Sequence, residues 1–170
     1  MTPKTLREAL QRNRQRLAFE RLTADAPWLA REVLDVVAAD ESATLDAEIR
    51  TVLARTRPEE RGELVVSRSS DAFGRAVLAY FECRRESRFC TFLAHWQEAG
   101  GLVLDATYLG RHLSELLALD GDTVYGCNEG FGEVFAADRT VDDEGVTFEF
   151  FTVDLPAGGA AGFSPPKRSI

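Results

Sequence analysis

The two histidines of this chain stand in matching settings, His95-Trp96-Gln97-Glu98 and His112-Leu113-Ser114-Glu115. In each a carboxylate follows three residues later, and on a helix that spacing brings both groups to one face. Two such helices converging would offer two imidazoles and two carboxylates, a donor set that suits a divalent transition metal. The order reverses the Glu-x-x-His of ferritin-like di-iron sites, which also draw two further carboxylates from other helices. Pairs exposed on helix surfaces are therefore the expected arrangement, and His95, Glu98, His112 and Glu115 are metal ligands only if the protein is an enzyme. Cys83, Cys90 and Cys127 lack the close spacing of zinc ligands. Cys127 precedes a glycine-rich loop, where an exposed thiol could act as a nucleophile, but strand alternation places it as readily in a core with Tyr125. Gly130-Phe131-Gly132 has no following Lys-Ser/Thr and is not a phosphate loop. Asp138, Asp142, Asp143 and Glu144 do not follow the alternating ligand rhythm of an EF-hand. No catalytic residue is assigned and no cofactor is expected.

Charge is the more informative chemistry. Residues 101–160 hold 12 of the 28 Asp and Glu but only two of the 20 Lys and Arg, Arg111 and Arg139, a local net of −10. Residues 1–100 carry 16 acids and 16 bases, and Lys167 and Arg168 bring the total to −8. A concentrated negative field repels nucleic acid and acidic membranes and attracts cationic surfaces. The expected partner is a basic protein, with nucleic acid and membrane excluded. Apolar runs such as 33–39 fall far short of the roughly 20 residues needed to cross a bilayer. The N-terminal residues carry charge in place of the apolar stretch of a secretory signal, and an odd cysteine count suits reduced thiols, so a cytoplasmic location is expected.

The elements that must position these groups follow from apolar spacing. Thr5 and Glu8 have capping-box spacing, and Leu6, Leu10, Leu17 and Leu22 fall near one side of the helix they open. A second helix is expected to carry Trp28, Leu29, Val33, Val36 and Val37, and a third Leu45, Ile49, Val52 and Leu53, ending at Pro58. Leu64-Val65-Val66 reads as an isolated strand, and Ser69-Ser70-Asp71 caps a helix with Phe73, Val77, Leu78 and Phe81. A further helix from Ser87 presents Phe89, Phe92, Leu93 and Trp96 and stops at Gly100-Gly101. Leu102-Val103-Leu104 suggests a strand, and Leu109, Leu113, Leu116 and Leu117 a helix ending near Gly121. Three strands then form a meander over 123–127, 133–137 and 146–150, with residues 138–145 as an exposed acidic turn.

The stretch from Phe92 to Asp154 resembles the SUKH superfamily of bacterial immunity proteins. The phrases that carry the likeness are Gly121-Asp122-Thr123-Val124-Tyr125 and Gly132-Glu133-Val134-Phe135-Ala136-Ala137-Asp138. The helical N-terminal part is not in that family's pattern. The resemblance implies an α+β domain that binds and neutralises a cognate toxin in the cytoplasm, with no catalytic residues to carry over.

The expected fold is α+β, a helical N-terminal half packed with a small antiparallel meander. One domain spans 1–155, with helices to residue 100 and a helix plus meander over 101–155, followed by a flexible tail over 156–170. The expected function is a non-enzymatic acidic protein that recognises and inhibits a basic partner such as a toxin or nuclease. Its contact residues are Glu129, Phe131, Glu133, Asp138, Asp142, Asp143 and Glu144, with Tyr125 and Phe135 as further aromatic anchors. A small metal- or thiol-dependent enzyme and a helical adaptor or oligomerising module are the alternatives.

Overall fold

The computed structural model describes residues 3–156. The chain is α+β, with helices concentrated in its N-terminal half and an antiparallel meander in its C-terminal half. The α-helices among the described residues are α1 (Pro3–Asp25), α2 (Ala39–Arg55), α3 (Ser70–Glu82) and α4 (Ala106–Asp120). The strands among them are β1 (Asp35–Val36), β2 (Leu64–Ser67), β3 (Arg88–Leu93), β4 (Leu102–Asp105), β5 (Thr123–Asn128), β6 (Glu133–Asp142) and β7 (Gly145–Asp154). They form one sheet in the order β1-β4-β3-β5-β6-β7-β2, antiparallel throughout. The meander is thus the middle of a wider sheet, and Leu64–Ser67 is its edge strand, where an isolated strand was expected.

Side-chain alternation divides the sheet residues between two cores. Phe89, Leu104, Val124, Phe135 and Phe150 turn toward α3 and α4, where Phe73, Val77, Phe81, Leu109, Leu113 and Leu117 meet them. Cys90, Phe92, Val103, Tyr125, Cys127, Val134 and Phe151 turn the other way and pack beneath Leu45 and Ile49 of α2. The Ser69 hydroxyl caps α3 by accepting from the Ala72 N–H, and Asp105 caps α4 by accepting from the Tyr108 N–H at 2.8 Å. Gly121, at φ 100°, ends α4 in a conformation that a side chain resists.

Two expected helices are corrected. Residues 88–93 form β3 followed by a 3-10 turn over Ala94–Ala99, and residues 28–37 form a 3-10 turn at Leu29–Arg31 and the two-residue β1. β3 is buried on both faces, so its apolar residues do not alternate with polar ones and resemble a buried helix. In α1 Ala18 and Leu22 enter the core and Phe19 packs against it, while Leu6, Leu10 and Leu17 stay exposed. Apart from Pro156, the expected tail lies outside the described residues. Among the described residues no helix is long and apolar enough to cross a membrane.

Candidate functional site

The acidic residues expected to form one contact surface fall at two ends of the sheet. β6 runs from Glu133 to Asp142, a span of roughly 30 Å at strand rise. Glu129 and Glu133 lie at one end, and Asp142, Asp143 and Glu144 at the other. A separation of three Debye lengths makes the two groups electrically independent in physiological salt.

At the first end Glu129 is half-buried, and Phe131 and Glu133 are withdrawn from solvent. Phe131 is buried and packs in the core beneath α2. Glu133 is also buried, and its carboxylate accepts from Arg84 Nη2 at 2.8 Å and Nε at 3.1 Å. The Arg84 guanidinium in turn stacks 3.7 Å from the Tyr80 ring centroid. Phe131 and Glu133 are therefore corrected from partner contacts to structural residues. Tyr125 and Phe135 are buried as well and cannot serve as surface anchors. Tyr125 donates its hydroxyl proton to Asp46, while Arg50 donates to the same oxygen from Nη2 at 2.7 Å. Burial, then the bond to Asp46, pushes the Tyr125 phenol up.

The second end is open. β5 pairs with β6 as far as Asp138, and β2 pairs with β7 only from Phe148 onward. Among the described residues, 140–147 therefore form a two-stranded arm with no third strand beside it, closed by a tight turn at Asp143-Glu144. The tip is pinned by the Asp142 carboxylate, which accepts from the Glu144 N–H at 2.9 Å. Asp142, Asp143 and Glu144 are exposed, as is Val141. Glu144 is paired with Arg68, and the half-buried Asp138 accepts from the Thr123 hydroxyl at 2.7 Å. The expected exposed turn over 138–145 is thus mostly paired strand with an exposed acidic tip.

Known families, curated proteins and solved structures offer no match to the chain.

The histidines do not converge. His95 sits in the 3-10 turn after β3 and faces Asp120, away from the Glu98 pairing expected of a helix. Asp120 is fully enclosed; it accepts from the His95 N–H at 2.8 Å, the Thr123 N–H at 3.2 Å and the His95 ring Nδ1 at 3.3 Å. Because the carboxylate only accepts, Nδ1 carries the proton. The bond to Asp120 and its charge, with Asp122 further off, hold the His95 imidazolium above its ordinary range. Sequence reasoning missed Asp120. An acid in the last turn of an apolar helix opposes the helix dipole, and that placement was the signal for a tertiary partner.

His112 does meet Glu115, on α4. Its ring stacks between Tyr108, at 4.4 Å, and Trp28, at 6.0 Å. These residues, with Arg31 and Glu32, line a surface pocket of about 390 Å³. The Tyr108 hydroxyl is buried beside it with no hydrogen-bond partner among the described residues. Burial, then the charges of Glu32 and Glu115, pushes the Tyr108 phenol up. Among the described residues no group of three or more His, Cys, Asp or Glu is placed to hold a metal ion. Cys127 lies in the core, where burial pushes its thiol up to about 12, so it is not poised as a nucleophile. Cys90 lies directly across from it on β3 and is also buried and raised, and Cys83 is exposed.

Proposed function

We propose that the protein is a non-enzymatic, acidic binding protein that recognises and inhibits a basic protein, with the β6–β7 arm as its point of encounter. The observation that carries this reading is the exposed run Asp142-Asp143-Glu144 on a strand pair that stands free of the rest of the sheet. Among the described residues only Glu144 of these acids has a basic partner, Arg68, and both members of that pair are exposed. Exposed ion pairs of this kind contribute about 0–1 kcal/mol, so Arg68 is easily displaced by an incoming cation. Val141, 61% exposed beside the acids, supplies apolar contact once charge has brought the partner in. A toxin or nuclease with a basic active site is a partner that such an arm blocks by occupancy alone. The likeness of residues 92–154 to SUKH immunity proteins points the same way, and a cytoplasmic site of action goes with it.

The test is a paired capture. Wild type and an Asp142→Asn, Asp143→Asn, Glu144→Gln variant are immobilised and offered host lysate at low and moderate salt. The proposal expects a basic protein retained by wild type and lost by the variant. A control neutralising Glu59 and Glu60, distant in sequence, retains it. Equal retention by all three proteins contradicts the proposal.

One observation favours a second reading, a small-molecule site at Trp28, Tyr108 and His112. Beside the Tyr108 hydroxyl, which has no partner among the described residues, the pocket sets the Trp28 and Tyr108 rings and the Glu32 and Glu115 carboxylates against a single arginine, Arg31, and the rings and carboxylates suit a cationic group. A saturable shift of the Trp28 indole signal on adding methylguanidinium, reduced in Glu115→Gln, is the expected result.

A further inference from the structure

The sheet ends on β2, and the backbone geometry says which of its groups face outward. The two-residue turn at Asp143-Glu144 makes Asp142 and Gly145 a hydrogen-bonded pair, so the odd residues of β7 bond to β6 and the even ones to β2. Thr152 accordingly donates its N–H to the Glu63 carbonyl at 3.0 Å. Val65 and Ser67 then spend their backbone groups on Phe150 and Phe148. Leu64 and Val66 point theirs away from the sheet. The same two residues are among the most exposed large apolar side chains of the described chain, at 52% and 60%, and both lie on the α2 face of the sheet. Among the described residues those N–H and C=O groups meet no partner, and an edge of such groups with exposed apolar side chains is a template for another strand.

We infer that this strand is β2 of a second copy, paired antiparallel about a twofold axis at Val65, so that two seven-stranded sheets join into one. Residues directly opposite in an antiparallel pair share a face, and a twofold axis normal to the sheet preserves faces, so opposite residues must be of the same parity. Centring on Val65 sets Leu64 against Val66 of the second copy, and Val66 against its Leu64. These are the residues with outward backbone groups, so four new backbone hydrogen bonds form and leave none of those groups unpaired. Both exposed apolar side chains gain a cross-strand neighbour in the same step.

Charge also selects this edge. The chain is net −8, which opposes self-association over most of its surface. Residues 61–68 carry two arginines to one acid, and Arg61 and Arg68 also neutralise Glu149 and Glu144 beside the edge. In the proposed register Glu63 faces Ser67 and Arg68 faces Gly62, so no acid faces an acid. Four paired residues a side is well short of the roughly 20–30 of a standard interface. The dimer is therefore weak and concentration-dependent.

The inference is tested by sedimentation of the full chain over a wide concentration range. Wild type is expected to rise from monomer mass toward twice that mass. Val66→Pro removes an N–H that points out of the sheet and leaves the β7 ladder intact, so it stays monomeric with an unchanged thermal transition. In a Cys83→Ser background, Val65→Cys places its thiol opposite its own copy on the axis and crosslinks as a dimer on mild oxidation. Val66→Cys, offset from its copy by two residues and about 7 Å, crosslinks at least tenfold more slowly. A wild type that stays monomeric to its solubility limit overturns the inference. So does a Val66→Pro dimer of wild-type strength, or a dimer abolished only by Leu6→Lys and Leu10→Lys on α1. If wild type is monomeric but captures an extended strand of another protein at β2, the self-pairing is likewise refuted.

Discussion

Asp120 shows how one side chain joins three segments. Its carboxylate ties the end of α4 to the backbone and ring of His95 after β3, and to the first residue of β5. Asp120→Ala leaves two N–H groups without their acceptor, at about 1–3 kcal/mol for each that stays out of water. Urea unfolding at neutral pH is expected to show that loss. The same contact sets a pH dependence. The His95 imidazolium is favoured in the folded state, so its contribution to stability is full below the unfolded value of about 6.5 and disappears as pH rises through the higher folded value. An NMR titration should find His95 above 6.5 in wild type and lower in Asp120→Asn. His95→Gln should flatten the stability profile in that window. If His95 titrates identically in wild type and Asp120→Asn, the assigned contact is wrong.

At the scale of elements, the tightest constraint is where strands cross a glycine. A side chain at Gly126, in the middle of β5, would bring its first carbon 2.3 Å from the Cys90 carbonyl oxygen and 2.8 Å from the Phe135 ring. The carbonyl belongs to a paired strand and cannot retreat, so Gly126→Ala is expected to cost at least the roughly 1–3 kcal/mol of an overpacked core. Gly130, in the loop after β5, has nothing within 4 Å, and Gly130→Ala is expected to leave the thermal transition within a degree or two. Equal effects of the two substitutions would mean that β3 and β5 do not pair as described. These strands also show what the sequence discloses. Elements with one face in the core carried their period openly: Leu109, Leu113, Leu116 and Leu117 in α4, and Phe148 and Phe150 against Thr147 and Glu149 in β7. The cap at Ser69 was legible because hydroxyl capping is local chemistry. β3 was not, since Phe89, Cys90, Thr91, Phe92 and Leu93 are all buried and leave no alternation to read. Phe131 and Glu133 read as partner contacts for a related reason. Only tertiary structure supplies the core beneath α2 that takes one, and the Arg84 that neutralises the other.

Across the whole molecule, folding redistributes the charge that the sequence segregates. Three acids of the −10 segment meet arginines from the neutral first half: Glu133 with Arg84, Glu144 with Arg68, and Glu149 with Arg61. Of the other acids, Asp142 and Asp143 stand exposed side by side at the tip of the β6–β7 arm next to Glu144, which among the described residues is the one of the three paired with an arginine, while Asp122 and Asp154 are exposed singly elsewhere. Arg68→Ala should accordingly strengthen the local field and speed encounter with a basic partner, by a few-fold at low salt. A dimer through β2 would present two such arms and add avidity toward any partner that spans them. The most direct measurement is the association rate between this protein and a basic protein recovered in the proposed capture, followed by stopped flow across ionic strength. The account predicts a rate that falls at least tenfold between about 0.02 and 0.5 M salt, and an Asp142→Asn, Asp143→Asn, Glu144→Gln variant that is slow at every salt concentration. A rate indifferent to salt, or a variant that associates as fast as wild type, would contradict it.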